Sequence, residues 1–244
     1  FEGGVSDLVN PLSDNLGNSV FKDSPVARVK RNDGGGFSIE VEGEADIETD
    51  TVISAAPAWA AARYLGELDH DASNSLNEIP YPSLDVVCLG YRKEQVEHDL
   101  DGFGFLVPRN QGKTILGSLW TSSIFPGRAP DSHVLIRTMI GGMTEPEVGG
   151  WTEELVVDTV RRDLEDILGI GLNQKPVFSR IYRHERAIPQ YHLGHEKLME
   201  RIRSAETRQP GLFIAGNATS GVGVIDCIRE SVPVALRVAQ YAKS

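Results

Sequence analysis

The chain has 244 residues, 40% of them hydrophobic, enough to bury a core in one or two domains. A net charge of −11 argues against nucleic-acid binding, because a phosphate backbone rewards clustered Lys and Arg, and an anionic small ligand would need a local basic patch. No apolar run nears the roughly 20 residues of a membrane span, and Cys88 and Cys227 form neither a disulfide framework nor a CxxC zinc site. A reduced, cytoplasmic setting is expected, and peripheral membrane contact is left open.

Residues 26–31 and 37–42 each alternate with a period of two, and Gly34-Gly35-Gly36 supplies a turn between them, so a β-hairpin is expected. Residues 50–57 read as a short buried strand ending in small residues, followed by a helix over 58–65 with Pro57 at its first position. Ile79-Pro80-Tyr81-Pro82 interrupts both periodicities and marks a crossing into a second domain. Residues 83–92, 102–108, 114–122 and 134–141 look extended and predict an antiparallel-rich sheet.

Residues 152–168 give the clearest helix: Val156, Val160, Leu164, Ile167 and Leu168 make one stripe, Glu153 and Glu154 sit in the first turn, and Gly169 stops it. Residues 177–182 are read as a strand returning to the first domain, and 194–204 as a helix. Pro233, inside the last helical pattern, removes a hydrogen bond to Arg229 and predicts a kink. The expected fold is mixed α/β, with 1–80 and 177–244 in one domain and 81–176 in the other.

Three runs carry the chemistry. Gly211-Leu212-Phe213-Ile214-Ala215-Gly216-Asn217-Ala218 leads into Gly221-Val222-Gly223-Val224-Ile225-Asp226-Cys227-Ile228, a strand passing through glycines into a helix. Glycine lets a backbone approach a ligand closely, and a helix start offers free N–H groups and a positive dipole end, which suits a dinucleotide pyrophosphate. The others are Ile188-Pro189-Gln190-Tyr191-His192-Leu193-Gly194-His195 and Ser122-Ser123-Ile124-Phe125-Pro126-Gly127-Arg128-Ala129-Pro130. In this order the three runs resemble the FAD-dependent protoporphyrinogen oxidases of the amine-oxidase superfamily. A Gly-x-Gly-x-x-Gly fingerprint is absent, and Phe1-Glu2-Gly3-Gly4-Val5 resembles a mid-protein run of that family, so a C-terminal half is expected, with a Rossmann-like cofactor domain lacking its first βαβ unit.

The resemblance implies a non-covalent FAD, with Gly216, Gly221, Val222, Gly223 and Val224 along its ribityl–pyrophosphate face and the backbone of Val26 at the adenine. His184, which stands where many relatives carry Trp, is a further implied flavin contact. Phe103, Gly104 and Leu106 would border a porphyrinogen pocket, Phe125 would stack on the substrate, and Arg128 or Arg137 would suit a propionate. Aromatic and leucine strand residues are also ordinary core, and surface is the commoner fate of an arginine. His192 and His195 lack an obvious third ligand, so polar packing rather than a metal is expected there.

The implied reaction passes hydride from a porphyrinogen to the flavin, with O2 reoxidising it; no side-chain base or Ser-His-Asp set is evident, and no catalytic residue is assigned. Expected partners are the porphyrinogen, O2 and the N-terminal half of the same protein. Coproporphyrinogen III as substrate, another flavin oxidase of the superfamily, and a catalytically silent fragment stay open as alternatives.

Overall fold

The computed structural model describes residues 3–243, so the Phe1-Glu2 start of the opening motif lies outside the described residues. The chain divides into two compact units: one takes the chain up to Pro80 and again from Ile188, the other spans Tyr81–Ala187.

The first unit opens with α1 (Ser6–Leu16), which buries none of its side chains. Then β1 (Val26–Arg31) and β2 (Phe37–Val41) form the expected hairpin, with Arg31 opposite Phe37 and Val26 opposite Val41, and a bulge between Val26 and Arg28. A third strand, β3 (Ile47–Thr49), adds antiparallel to β2, and Val29, Phe37 and Val41 turn inward. Next come β4 (Val52–Ser54) and α2 (Ala58–Leu65), whose Ala58, Ala61, Ala62 and Leu65 form its buried face. α3 (His70–Asn77) starts at Asp69, whose carboxylate accepts the Ala72 N–H at 2.9 Å.

The second unit is a five-stranded antiparallel sheet with one helix laid on it. Its strands are β5 (Leu84–Arg92), β6 (Gly104–Leu106), β7 (Ile115–Leu119), β8 (His133–Gly141) and β9 (Phe178–His184), in the order β6-β7-β8-β5-β9. The short α4 (Thr121–Ile124) follows β7, and α5 (Glu153–Leu168) runs between β8 and β9. Thr152 caps α5 by accepting the Leu155 N–H, and Gly169 ends it in the left-handed region at φ 71°. Val156, Val160 and Leu164, all at 0% exposure, pack with Val87, Leu89, Ile136 and Ile140; each such side chain contributes roughly 1.5–3 kcal/mol by leaving water.

The expected return to the first unit at residue 177 is displaced. β9 pairs with β5 from Gly90↔Phe178 to Leu84↔His184, so that ladder holds it in the second unit and the return falls at Ile188.

Back in the first unit, α6 (His195–Arg208) buries Met199, Ile202 and Ala205. Arg208 clamps Asp69 through two bonds of 2.7 Å, tying α6 to the start of α3. β10 (Leu212–Ile214) is wholly buried and pairs parallel with β4, Leu212 facing Val52 and Ile214 facing Ser54. The chain closes with α7 (Val224–Tyr241), which continues through Pro233 although the proline ring offers the Arg229 carbonyl no N–H.

Candidate functional site

The glycine run joins β10 to α7. Gly216 and Gly221 have φ of 116° and 131°. At Gly221 a Cβ would sit 2.6 Å from the Cβ of Asp226, so both the backbone angle and the neighbouring side chain demand glycine. This turn is pinned from outside. The Tyr191 hydroxyl donates to the Asn217 carbonyl at 2.6 Å and accepts the Gly221 N–H at 3.0 Å. Burial pushes the phenol above its usual pKa, against the pull of the Gly221 amide, so it keeps the proton it donates. The ring of His195 stacks on Tyr191 at 4.0 Å and 15°, and burial lowers its pKa although the Ala218 backbone opposes this.

Beyond the latch the turn is open. The N–H groups of Val222, Gly223, Val224 and Ile225 find no acceptor among the described residues, and no side chain caps α7. Val222, Val224 and Ile225 are exposed. A trough of about 680 Å³ runs beside them, with Ile53, Ala55, Pro57, Gly216 and Cys227 in its walls. Small wall residues and unpartnered amides fit a flat ligand with polar edges, which is the shape and chemistry of a flavin. One charge modifies the fit: the carboxylate of Asp226 lies against Gly221 and Gly223 and pairs with Arg229 at 3.4 Å.

Gly216, Val222 and Val224 thus share one trough, while Gly221 and Gly223 are not in its lining and lie against Asp226. Val26 is half-buried on β1 and is not in the trough wall. His184 ends β9 in the second unit, opposite Leu84. Tyr191 comes from the second sequence run, whose rigid backbone and apolar ring the family resemblance places close to the flavin; its two bonds to the turn are a long-range feature without a local pattern.

In the second unit Phe103, Leu106 and Phe125 are exposed, Leu106 at 79%. Gly104 has a different explanation from ligand clearance: at φ 138° a Cβ would collide with the Ser118 carbonyl, so the pairing of β6 with β7 itself requires glycine. Arg128 is exposed on the loop after Phe125. A hollow of about 520 Å³ beside that loop is lined by His98, Pro126 and His133, but also by Glu97, Asp99 and Asp131. Those acids would repel a polycarboxylate.

The model of the family described as flavin containing amine oxidoreductase matches residues 1–239. A chloroplastic protoporphyrinogen oxidase 1 of Spinacia oleracea is 34% identical over 99% of this chain and 45% of its own length. A coproporphyrinogen III oxidase of Bacillus subtilis (strain 168) is 29% identical over 92% of this chain and 47% of its length. The chain therefore spans about half the length of the curated relatives it matches. Among solved structures, one from Exiguobacterium sp. 255-15, provisionally assigned as a protoporphyrinogen oxidase, superposes over 100% of this chain and 52% of its own with a TM-score of 0.81 at 22% identity. Cyclohexylamine oxidase from Brevibacterium oxydans IH-35A does so over 99% of this chain and 53% of its own, at a TM-score of 0.75 and 15% identity, which speaks for the shared fold alone.

Proposed function

The chain belongs to the flavin containing amine oxidoreductase family, and on that premise we propose that it carries flavin and substrate contacts of an FAD-dependent porphyrinogen oxidase. The observation that carries this reading is the open trough with unpartnered amides, preset by Tyr191. When bound, the flavin supplies the hydride acceptor for dehydrogenating the macrocycle and hands the electrons to O2.

The residues of the chain position rather than react. The Val222–Ile225 amides would meet ligand oxygens, and Gly216 with Ala55 and Pro57 would let a planar ring lie close to the backbone. Asp226 beside those amides makes the turn a better seat for ribityl hydroxyls and a ring carbonyl than for a pyrophosphate, because a carboxylate repels phosphate and accepts hydroxyl hydrogens. On the substrate side Phe103, Leu106 and Phe125 offer exposed apolar contact, and Arg128 a carboxylate partner. In this reading the protein is cytoplasmic with a non-covalent flavin, and a polypeptide equivalent to the other half of its relatives completes the site. Likeness to the Bacillus subtilis coproporphyrinogen III oxidase supports a tetracarboxylate substrate as the second reading.

The test is to titrate the purified chain with FAD, alone and with that second polypeptide, then add porphyrinogen in air. A perturbed flavin band and growing porphyrin fluorescence with the pair are expected. Neither signal from the pair would overturn the proposal.

A further inference from the structure

The two faces of the five-stranded sheet differ in charge. Cross-strand partners share a face, so the register places Gly104, Leu119, Arg137, Cys88 and Arg180 in one row across the sheet. The next row on that face holds Leu106, Met139, Val86 and Tyr182. α5 covers the opposite face, and there lies the one acid in any of these strands, Asp85, paired with Arg183 at 3.5 Å. The open face therefore has no carboxylate at any strand position, in a chain of net charge −11.

Arg137 and Arg180 have no carboxylate within ion-pair distance among the described residues. Arg180 instead lies over the Tyr182 ring at 4.9 Å. Both guanidinium groups act on Cys88 between them, pulling its thiol pKa down while burial pushes it up further. Arg137 and Arg180 stand on strands two apart, roughly 10 Å between backbones. Two separated cations over apolar surface match a flat molecule with at least two acidic arms, and they would repel the cationic amines that other flavin oxidases of this fold take.

Resting on the porphyrinogen reading, we infer that Arg137 and Arg180 are the carboxylate grip of this face and fix the charge sign of the substrate, with the macrocycle laid over Leu106, Met139, Val86 and Tyr182. The probes are protoporphyrin IX and its dimethyl ester, followed by fluorescence anisotropy on the 244-residue chain. Arg137→Gln and Arg180→Gln should each weaken the diacid about tenfold and leave the ester unchanged. The diacid should also slow alkylation of Cys88, read by mass spectrometry on its own peptide with Cys227 as the control. Because Arg180 is exposed, its variant tests the grip without disturbing the core.

Unaltered diacid affinity in both variants, or Cys88 alkylation indifferent to the diacid, would overturn the inference. The porphyrinogen reading fails separately. If the complemented protein makes no porphyrin while the diacid still shields Cys88 through both arginines, the grip stands and the reaction does not.

Discussion

Helix α5 and the two helices α1 and α7 are built on the same plan and meet opposite fates. On α5 the stripe Val156, Val160, Leu164 is sealed at 0% exposure. On α1 the stripe Val9, Leu12, Leu16 and on α7 the stripe Ile225, Ile228, Val232, Leu236 stand in solvent, Leu16 at 57% and Leu236 at 60%. A helical period announces an apolar face without saying which polypeptide covers it. In the second unit the sheet is the cover. On the reading proposed above, the exposed stripes of the first unit are where the polypeptide that fills out the length of the relatives would pack.

The sharpest way to break this contrast is a pair of truncations followed by urea denaturation. Leu164→Ala should cost about 3 kcal/mol, since it empties a packed site, whereas Leu236→Ala should cost less than about 0.5 kcal/mol. Equal costs would dissolve the distinction.

The next effect asks whether the unit with bare helices is loosely made. Burial alone would raise the pKa of Asp69, but the two Arg208 bonds and the Ala72 N–H outweigh it and hold the carboxyl below its ordinary value. A folded-state pKa below the unfolded one means stability fully present above the unfolded pKa and lost as pH falls through the folded one. Asp69→Asn should therefore cost about 2 kcal/mol at neutral pH and flatten the acid limb of a stability–pH curve. An unchanged acid limb would mean that the Asp69–Arg208 clamp does not hold α3 to α6.

The smallest effect lies under α5. Burial pushes the Asp85 carboxyl upward, with Arg183 opposing, and one carboxylate oxygen lacks a hydrogen-bond partner. Here the sign reverses: the protonated form suits the fold, and stability erodes as pH rises from the unfolded pKa towards the raised folded one. Asp85→Asn should stabilise by about 1 kcal/mol at neutral pH, and the gain should vanish in acid. A loss at neutral pH would show that the Arg183 pair outweighs desolvation.

Local signals made much of this fold legible. The Gly34–Gly36 turn between alternating runs gave the hairpin, and Thr152 and Gly169 bracketed α5. Other elements carry weak local signals. α3 is rich in Ser and Asn, and the hydroxyls of Ser73 and Ser75 are satisfied by donating to the Ala62 and Asp71 carbonyls. β9 looked like a strand, but its choice of partner is set by a ladder formed across the whole second unit. The same limit hid the charge asymmetry of the sheet, because Arg137 and Arg180 lie 43 positions apart and only register aligns them beside Cys88. At the glycine turn the amides were readable from sequence, and the restraint from Tyr191 was not.

That phenol oxygen, gripping one peptide oxygen and one peptide nitrogen of the same loop, occupies the role a bridging water often plays, but it is covalently anchored and cannot wander off. The conformational freedom of residues 217–221 is surrendered during folding, before any ligand arrives. A guest reaching the trough meets a rigid host, and less of its interaction energy goes into ordering the protein.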